Sequence, residues 1–179
     1  LKDYPESLLA PSDLWHPLLI SSSDGSIRAF ATPRQKTLSE AFKMLLKTET
    51  EYFDGDLILA KKSAKTTKEL FLASNELAGV KKVDSILLRM EADDLMGSGT
   101  AYMGWEYFLN ASLSFKEAKG LYDRASILSG AMAAQDNLSL ALRGSYGIEM
   151  LENAELSILS GNPKGALTIT KNAVKIFTN

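Results

Sequence analysis

The residue types that could do chemistry are few and scattered. His16 is the only histidine and lies between Trp15 and Pro17. A Ser-His-Asp triad would have to recruit it, and a surface or packing role suits that proline-flanked position better. There is no cysteine, which excludes a thiolate nucleophile, a disulfide framework and a thiolate zinc site. Carboxylates pair at Asp54/Asp56 and cluster at Glu91/Asp93/Asp94. Such groups can hold Mg²⁺ or move protons, yet helix capping and a solvated face account for them more simply. Gly97-Ser98-Gly99 could offer free amides to an anion at a helix start. The preceding buried strand and the lysine of a phosphate loop are missing, so a turn between helices is expected there. Asn110-Ala111-Ser112 and Asn137-Leu138-Ser139 match the glycosylation sequon; both fall on or beside expected helices, and chance matches are the expectation. The expectation is a non-enzymatic protein with no catalytic residue, metal or cofactor.

Lysines form a denser pattern. Lys61, Lys65 and Lys68 fall on one face by helical spacing, within a stretch from Lys61 to Arg89 whose charges sum to +4. That face suits an acidic partner, phosphate groups or an anionic membrane. A solvated face whose aliphatic stems cover apolar surface is the simpler reading. No aromatic side chains interleave the lysines as a single-strand nucleic-acid site would require. The overall charge of −2 is too small for capture of nucleic acid by the whole surface.

The elements that must position these residues are helical. The chain has 179 residues, 45% hydrophobic and 23% charged, enough to bury a core without a staple. Four of its five prolines stand at Pro5, Pro11, Pro17 and Pro33, which predicts an irregular N-terminal arm over residues 1–34. Ser23-Asp24-Gly25 between apolar stretches signals a small hairpin within it; an extended arm lying on the helices is the alternative. Residues 35–179 read as the helical domain. Thr37 and Glu40 form a capping box, and Asp54-Gly55-Asp56 ends the first helix and caps the second. Gly97–Gly99 ends the third. The fourth is expected from Thr100 to Leu113, the fifth from Ser114 to Leu128, and the sixth from about Ala134 to Leu159. Pro163, at a favoured first-turn position, opens the seventh. Short connections make sequential neighbours antiparallel.

A local pattern recurs along these helices. It reads Ala154, Gly161-Asn162, Ala166, Ala173 near the end, and Tyr102, Leu109, Phe115, Ala118, Tyr122, Ala125 in the middle. Met44, Gly55-Asp56 and Ala60 begin a third, degenerate copy. At these residues the sequence resembles the tetratricopeptide repeat, in which small residues let two antiparallel helices cross closely. The resemblance implies an all-α fold of about seven antiparallel helices in hairpins, an α-solenoid. A non-repeat helical bundle is the competing reading. The chain departs from the family: Ala60, Ala118 and Ala166 are 58 and 48 residues apart, not the family's 34. Glu106 then occupies a position that should be small.

The resemblance also implies a function, that of a scaffold holding a peptide or a helical partner in a groove lined by the first helix of each pair. The groove-facing positions it implies are Met103, Tyr107 and Asn110 in the middle repeat and Leu151, Glu155 and Ile158 in the last. Asn110 alone matches the carboxylate clamp of chaperone-binding members, so a chaperone is not the expected partner. The N-terminal arm could itself fill the groove. The alternative function is a regulatory bundle that meets an acidic partner or an anionic membrane through Lys61, Lys65 and Lys68. The chain opens at Leu1 without a visible signal segment, as a processed form or excised domain would. With no cysteine, a cytoplasmic setting is the expectation.

Overall fold

A computed structural model describes residues 18–21, 27–30 and 32–178. His16, the Ser23-Asp24-Gly25 turn and the remainder of the N-terminal arm lie outside the described residues. An antiparallel pair, β1 (Leu18–Ser21) and β2 (Ile27–Phe30), sets Leu18 opposite Phe30 and Ser21 opposite Ile27. The described residues are otherwise mainly helical: α1 (Pro33–Phe53), α2 (Leu57–Ala73), α3 (Leu77–Gly104), α4 (Phe108–Arg124), α5 (Leu128–Leu159) and α6 (Pro163–Thr178).

The chain is all-α in class, with six helices rather than the expected seven among the described residues. The discrepancy lies in the middle. Gly97 and Gly99 do not end a helix; both sit inside α3. Gly99 is there because it meets the ring of Phe115, which a Cβ would overlap. The break falls instead at Trp105–Tyr107, and α4 runs unbroken through Leu113 and Ser114. The amides around Ser98 are therefore helical, which removes the anion loop as an option. The first helix also starts earlier than the capping box at Thr37 implies. Thr32 is its N-cap, accepting from the Gln35 amide at 3.2 Å while the Gln35 side chain accepts from the Thr32 amide at 2.8 Å. Pro33 follows as the first helical residue, where its missing N–H costs nothing.

All five interhelical turns share one motif. Each has a residue with positive φ at its centre: Gly55, Asn75, Glu106, Ser126 and Gly161. In each, the next amide donates to the carbonyl five residues back, for example Asp56 to Glu51 and Tyr107 to Tyr102, both at 2.9 Å. This is the Schellman closure, which satisfies carbonyls that the helix end leaves open.

The shared turn fixes the register of the repeated pattern. Gly55 and Glu106 are 51 residues apart, as are Asn75 and Ser126, and Gly161 follows Glu106 by 55. Both α2 and α4 are 17 residues long. Ala60, Ala111 and Ala166 each stand five residues after the turn centre, and all three are buried. Ala111, not Ala118, is thus the counterpart of Ala60 and Ala166. Ala118 matches Thr67 and Ala173 one heptad on. Counting back from Ala111, the small residue of the preceding helix is Gly99, and Glu106 is merely the turn residue. The sequence-level mismatch at Glu106 came from a register seven residues out.

The chain divides into two compact units after Met90. In the first, Leu38, Ala41 and Leu45 of α1 meet Ala64 and Phe71 of α2 and Val83 of α3. Phe42 stands edge-on to Phe71, with ring centres 5.3 Å apart. The hydroxyls of Thr48 and Thr67 meet at 3.2 Å in the interior, and each is also within bonding distance of the carbonyl four residues before it. In the second unit, Ala111 and Phe115 of α4 pack with Ala141 of α5, flanked by Met96, Tyr102, Met103 and Leu138. Three further aromatics lie where a glycine leaves room: Tyr122 on Gly130, Phe108 on Gly144 and Phe177 on Gly147. Small residues on one helix and rings on the other let these helices approach closely.

Candidate functional site

The α5–α6 hairpin leaves a set of apolar side chains exposed on one of its faces. Its two helices meet along a seam of small residues, Gly147 and Ala154 on α5 and Ala166 and Ala173 on α6, all buried. On α5, Leu151 and Ile158 each lie four residues beyond a seam residue. On α6, Leu167 and Val174 lie one beyond, and Phe177 four beyond. An antiparallel pair is related by a twofold axis normal to the plane of its two helices. Equal offsets in the same direction therefore place residues on the same side of the pair. These five side chains form one apolar surface, and each stays between 38% and 60% exposed. These exposed residues are grouped, whereas single exposed apolar residues are ordinary.

Charge is segregated between the two helices. Glu149, Glu152 and Glu155 stand on α5, and no basic residue occurs between Arg143 and Lys164. Lys164, Lys171 and Lys175 stand on α6, which contains no acid. A shallow depression on α6 is lined by Thr170, Lys171, Val174 and Lys175. The local sequence explains why α6 starts where it does: the Asn162 side chain accepts from the Gly165 amide at 3.0 Å, ahead of Pro163.

The six expected groove residues do not share one surface type. Leu151, Glu155 and Ile158 are exposed along one stripe of α5. Met103 lies near the end of α3 and packs against the Ala111–Phe115–Ala141 cluster. Tyr107 is the N-cap residue of α4, and Asn110 is in its first turn, so these two are not on the same helix as Met103. Tyr107 instead joins an aromatic corner with Tyr102 and Trp105, whose rings meet edge to face at 6.1 and 6.5 Å. The second stripe of the hairpin face, Leu167, Val174 and Phe177, was not among the sequence candidates. Its signal was the three- and four-residue spacing of Leu167, Thr170, Val174 and Phe177, one step from the alanine stripe.

Lys61, Lys65 and Lys68 lie along α2. Lys68 is held by Asp84 at 2.7 Å, and Lys82 by Glu49 at 3.6 Å, so acids of the same unit offset part of the basic stretch. Arg89 lies over the Tyr52 ring, 5.1 Å from its centre. Among the acids, Asp56 caps α2 by accepting from the Leu59 amide at 3.0 Å. Asp93 accepts a hydrogen bond from the Tyr122 hydroxyl. Burial raises the Asp93 carboxyl above its ordinary value; the Tyr122 hydrogen bond opposes that rise and the Asp94 charge adds to it. Among the described residues, no group of three His, Cys, Asp or Glu side chains is placed to hold a metal ion. No helix among them is long and apolar enough to cross a membrane.

Comparison with known proteins yields no match to this chain among family models, characterised proteins or solved structures.

Proposed function

We propose that this protein is a non-enzymatic scaffold of tetratricopeptide-like helical hairpins that holds another polypeptide against exposed helix faces. One observation carries the reading: the apolar stripe of α5, Leu151 and Ile158, lies exposed beside that of α6 on one face of a hairpin whose own seam is already filled. A helical or extended segment laid on such a face removes apolar area from water and meets charged edges that set its direction. The recurrence of one turn motif and of alanines five residues beyond it supports a repeat origin for the hairpins. Tyr107, whose ring meets that of Trp105, and Asn110 in the first turn of α4 form a second contact region; tyrosine and tryptophan supply large contact area at little conformational cost.

The test is affinity capture from a source lysate with three baits: the parent, Leu151→Ser/Ile158→Ser, and Tyr107→Ala/Asn110→Ala. Circular dichroism checks that each is folded. The expected result is a specific protein held by the parent and released by the folded α5 variant. Equal capture by all three baits, or capture by none, removes this face from consideration.

A further inference from the structure

We infer that the α5–α6 face binds a second copy of this chain, forming a twofold four-helix interface in which α5 of each copy lies over α6 of the other. The inference rests on the reading that this face holds a polypeptide, and it names that polypeptide.

The apolar surface is the starting point. Leu151, Ile158, Leu167, Val174 and Phe177 present two adjacent stripes from antiparallel helices. Such a surface is self-complementary in outline, because two hairpins placed face to face make a four-helix arrangement with a shared apolar centre.

Two twofold arrangements bring these faces together. With the axis perpendicular to the helices, α5 covers α5 and α6 covers α6. That sets the acids against acids and lysines against lysines, an arrangement that like-charge repulsion opposes. With the axis parallel to the helices, α5 covers α6 of the partner copy and every neighbouring pair is antiparallel. Glu152 and Glu155 then face Lys164 and Lys171 across the interface. Their levels also agree. A twofold axis along the helices keeps each residue at its height above the turn. Glu152 and Glu155 stand between the heights of Lys171 and Lys164, as counted from the 160–162 turn. No ion pair within the chain occupies any of these four side chains among the described residues. The acids and lysines of the hairpin are therefore free to pair across the twofold. Charge thus selects the second arrangement.

The test uses the full chain in sedimentation velocity over a range of concentrations. The expected result is a reversible monomer–dimer equilibrium for the parent. Glu152→Lys/Glu155→Lys and Lys164→Glu/Lys171→Glu, each alone, should weaken association by at least about tenfold through like-charge contacts. Both leave the apolar seam untouched, so folding is preserved and is checked by circular dichroism. Mixing the two variants should restore a dimer, since one copy then carries acids on both helices and the other lysines on both. A parent that stays monomeric overturns the inference, and so does a dimer indifferent to either charge variant. A monomeric parent that partitions onto phosphatidylserine-containing vesicles also overturns it, in favour of a membrane surface. Should the parent be monomeric yet still lose a captured protein through Leu151→Ser/Ile158→Ser, the scaffold reading stands and only the second copy is excluded.

Discussion

The hydroxyl of Tyr122 on α4 donates to the carboxylate of Asp93 on α3, tying two helices of the second unit together at a half-buried acid. The Tyr122 ring also fills the space over Gly130 at the start of α5. One side chain of α4 therefore touches two further helices, by its ring and by its oxygen.

That pairing makes stability depend on pH. Burial holds the Asp93 carboxyl above its ordinary value of 3.8, so the folded state binds this proton more tightly than the unfolded chain does. Stability contributed by the site is present below the ordinary value. It declines as pH rises toward the folded value, and the cost of the ion is constant above it. Asp93→Asn keeps an oxygen that accepts from Tyr122 and removes the charge. The variant should unfold at higher urea than the parent at neutral pH, and the gain should vanish by about pH 3, where both forms are neutral. A gain that persists at the lower pH would assign the effect to packing rather than ionisation. Tyr122→Phe, which removes the opposing hydrogen bond, should push the Asp93 carboxyl further up.

Two glycines of α3, one residue apart on either side of Ser98, should answer oppositely to alanine. A Cβ at Gly99 would overlap the Phe115 ring, whereas one at Gly97 meets nothing within 4 Å. Phe115 is fully buried, so its ring has little room to yield. Gly99→Ala should cost about 1–3 kcal/mol, the usual range for overpacking. Gly97→Ala should gain about 0.5–1 kcal/mol from the lower entropy of the unfolded chain and better helix propensity. Urea denaturation of the two variants decides it; a loss of similar size at both would mean that Gly97 also makes a contact.

What could be read from the sequence followed from where its signals are strong. Asp54-Gly55-Asp56 and Gly161-Asn162-Pro163 announce their turns, because glycine adopts positive φ freely and aspartate or asparagine caps the helix that follows. The helical class and the two hairpin ends they mark follow from such signals and from apolar spacing, whereas Leu151, Glu155 and Ile158 rest on the family resemblance alone. The middle of the chain was misread because its turn carries no breaker. Glu106 takes φ 62° in the same closure that glycine serves at Gly55 and Gly161, while the true glycines at 97 and 99 are buried or tolerated inside a helix. Tertiary contact, the Phe115 ring, decides the role of Gly99, and no local window reveals it. The same misplaced turn shifts the repeat register by a heptad. The α6 stripe is hard to read for a different reason: Leu167 and Val174 stand one residue beyond Ala166 and Ala173, so the apolar spacing of the two stripes overlaps.

Glu106 itself offers a direct check on the common turn. A non-glycine residue in the left-handed region brings its Cβ near the following carbonyl, at about 1–2 kcal/mol. Yet Glu106 sits at the centre of a closure made by the Tyr107 amide and the Tyr102 carbonyl at 2.9 Å. Glu106→Gly relieves that contact but gives the unfolded chain more freedom, so the net gain should be smaller, about 0.5–1 kcal/mol. Gly55→Ala, at the equivalent centre of the first turn with φ 84°, should lose stability by at least a comparable amount. Both are read from urea midpoints at unchanged slope. If Glu106→Gly destabilised the fold instead, the glutamate side chain would be contributing a contact that outweighs its backbone strain, and the five turns would not be energetically equivalent.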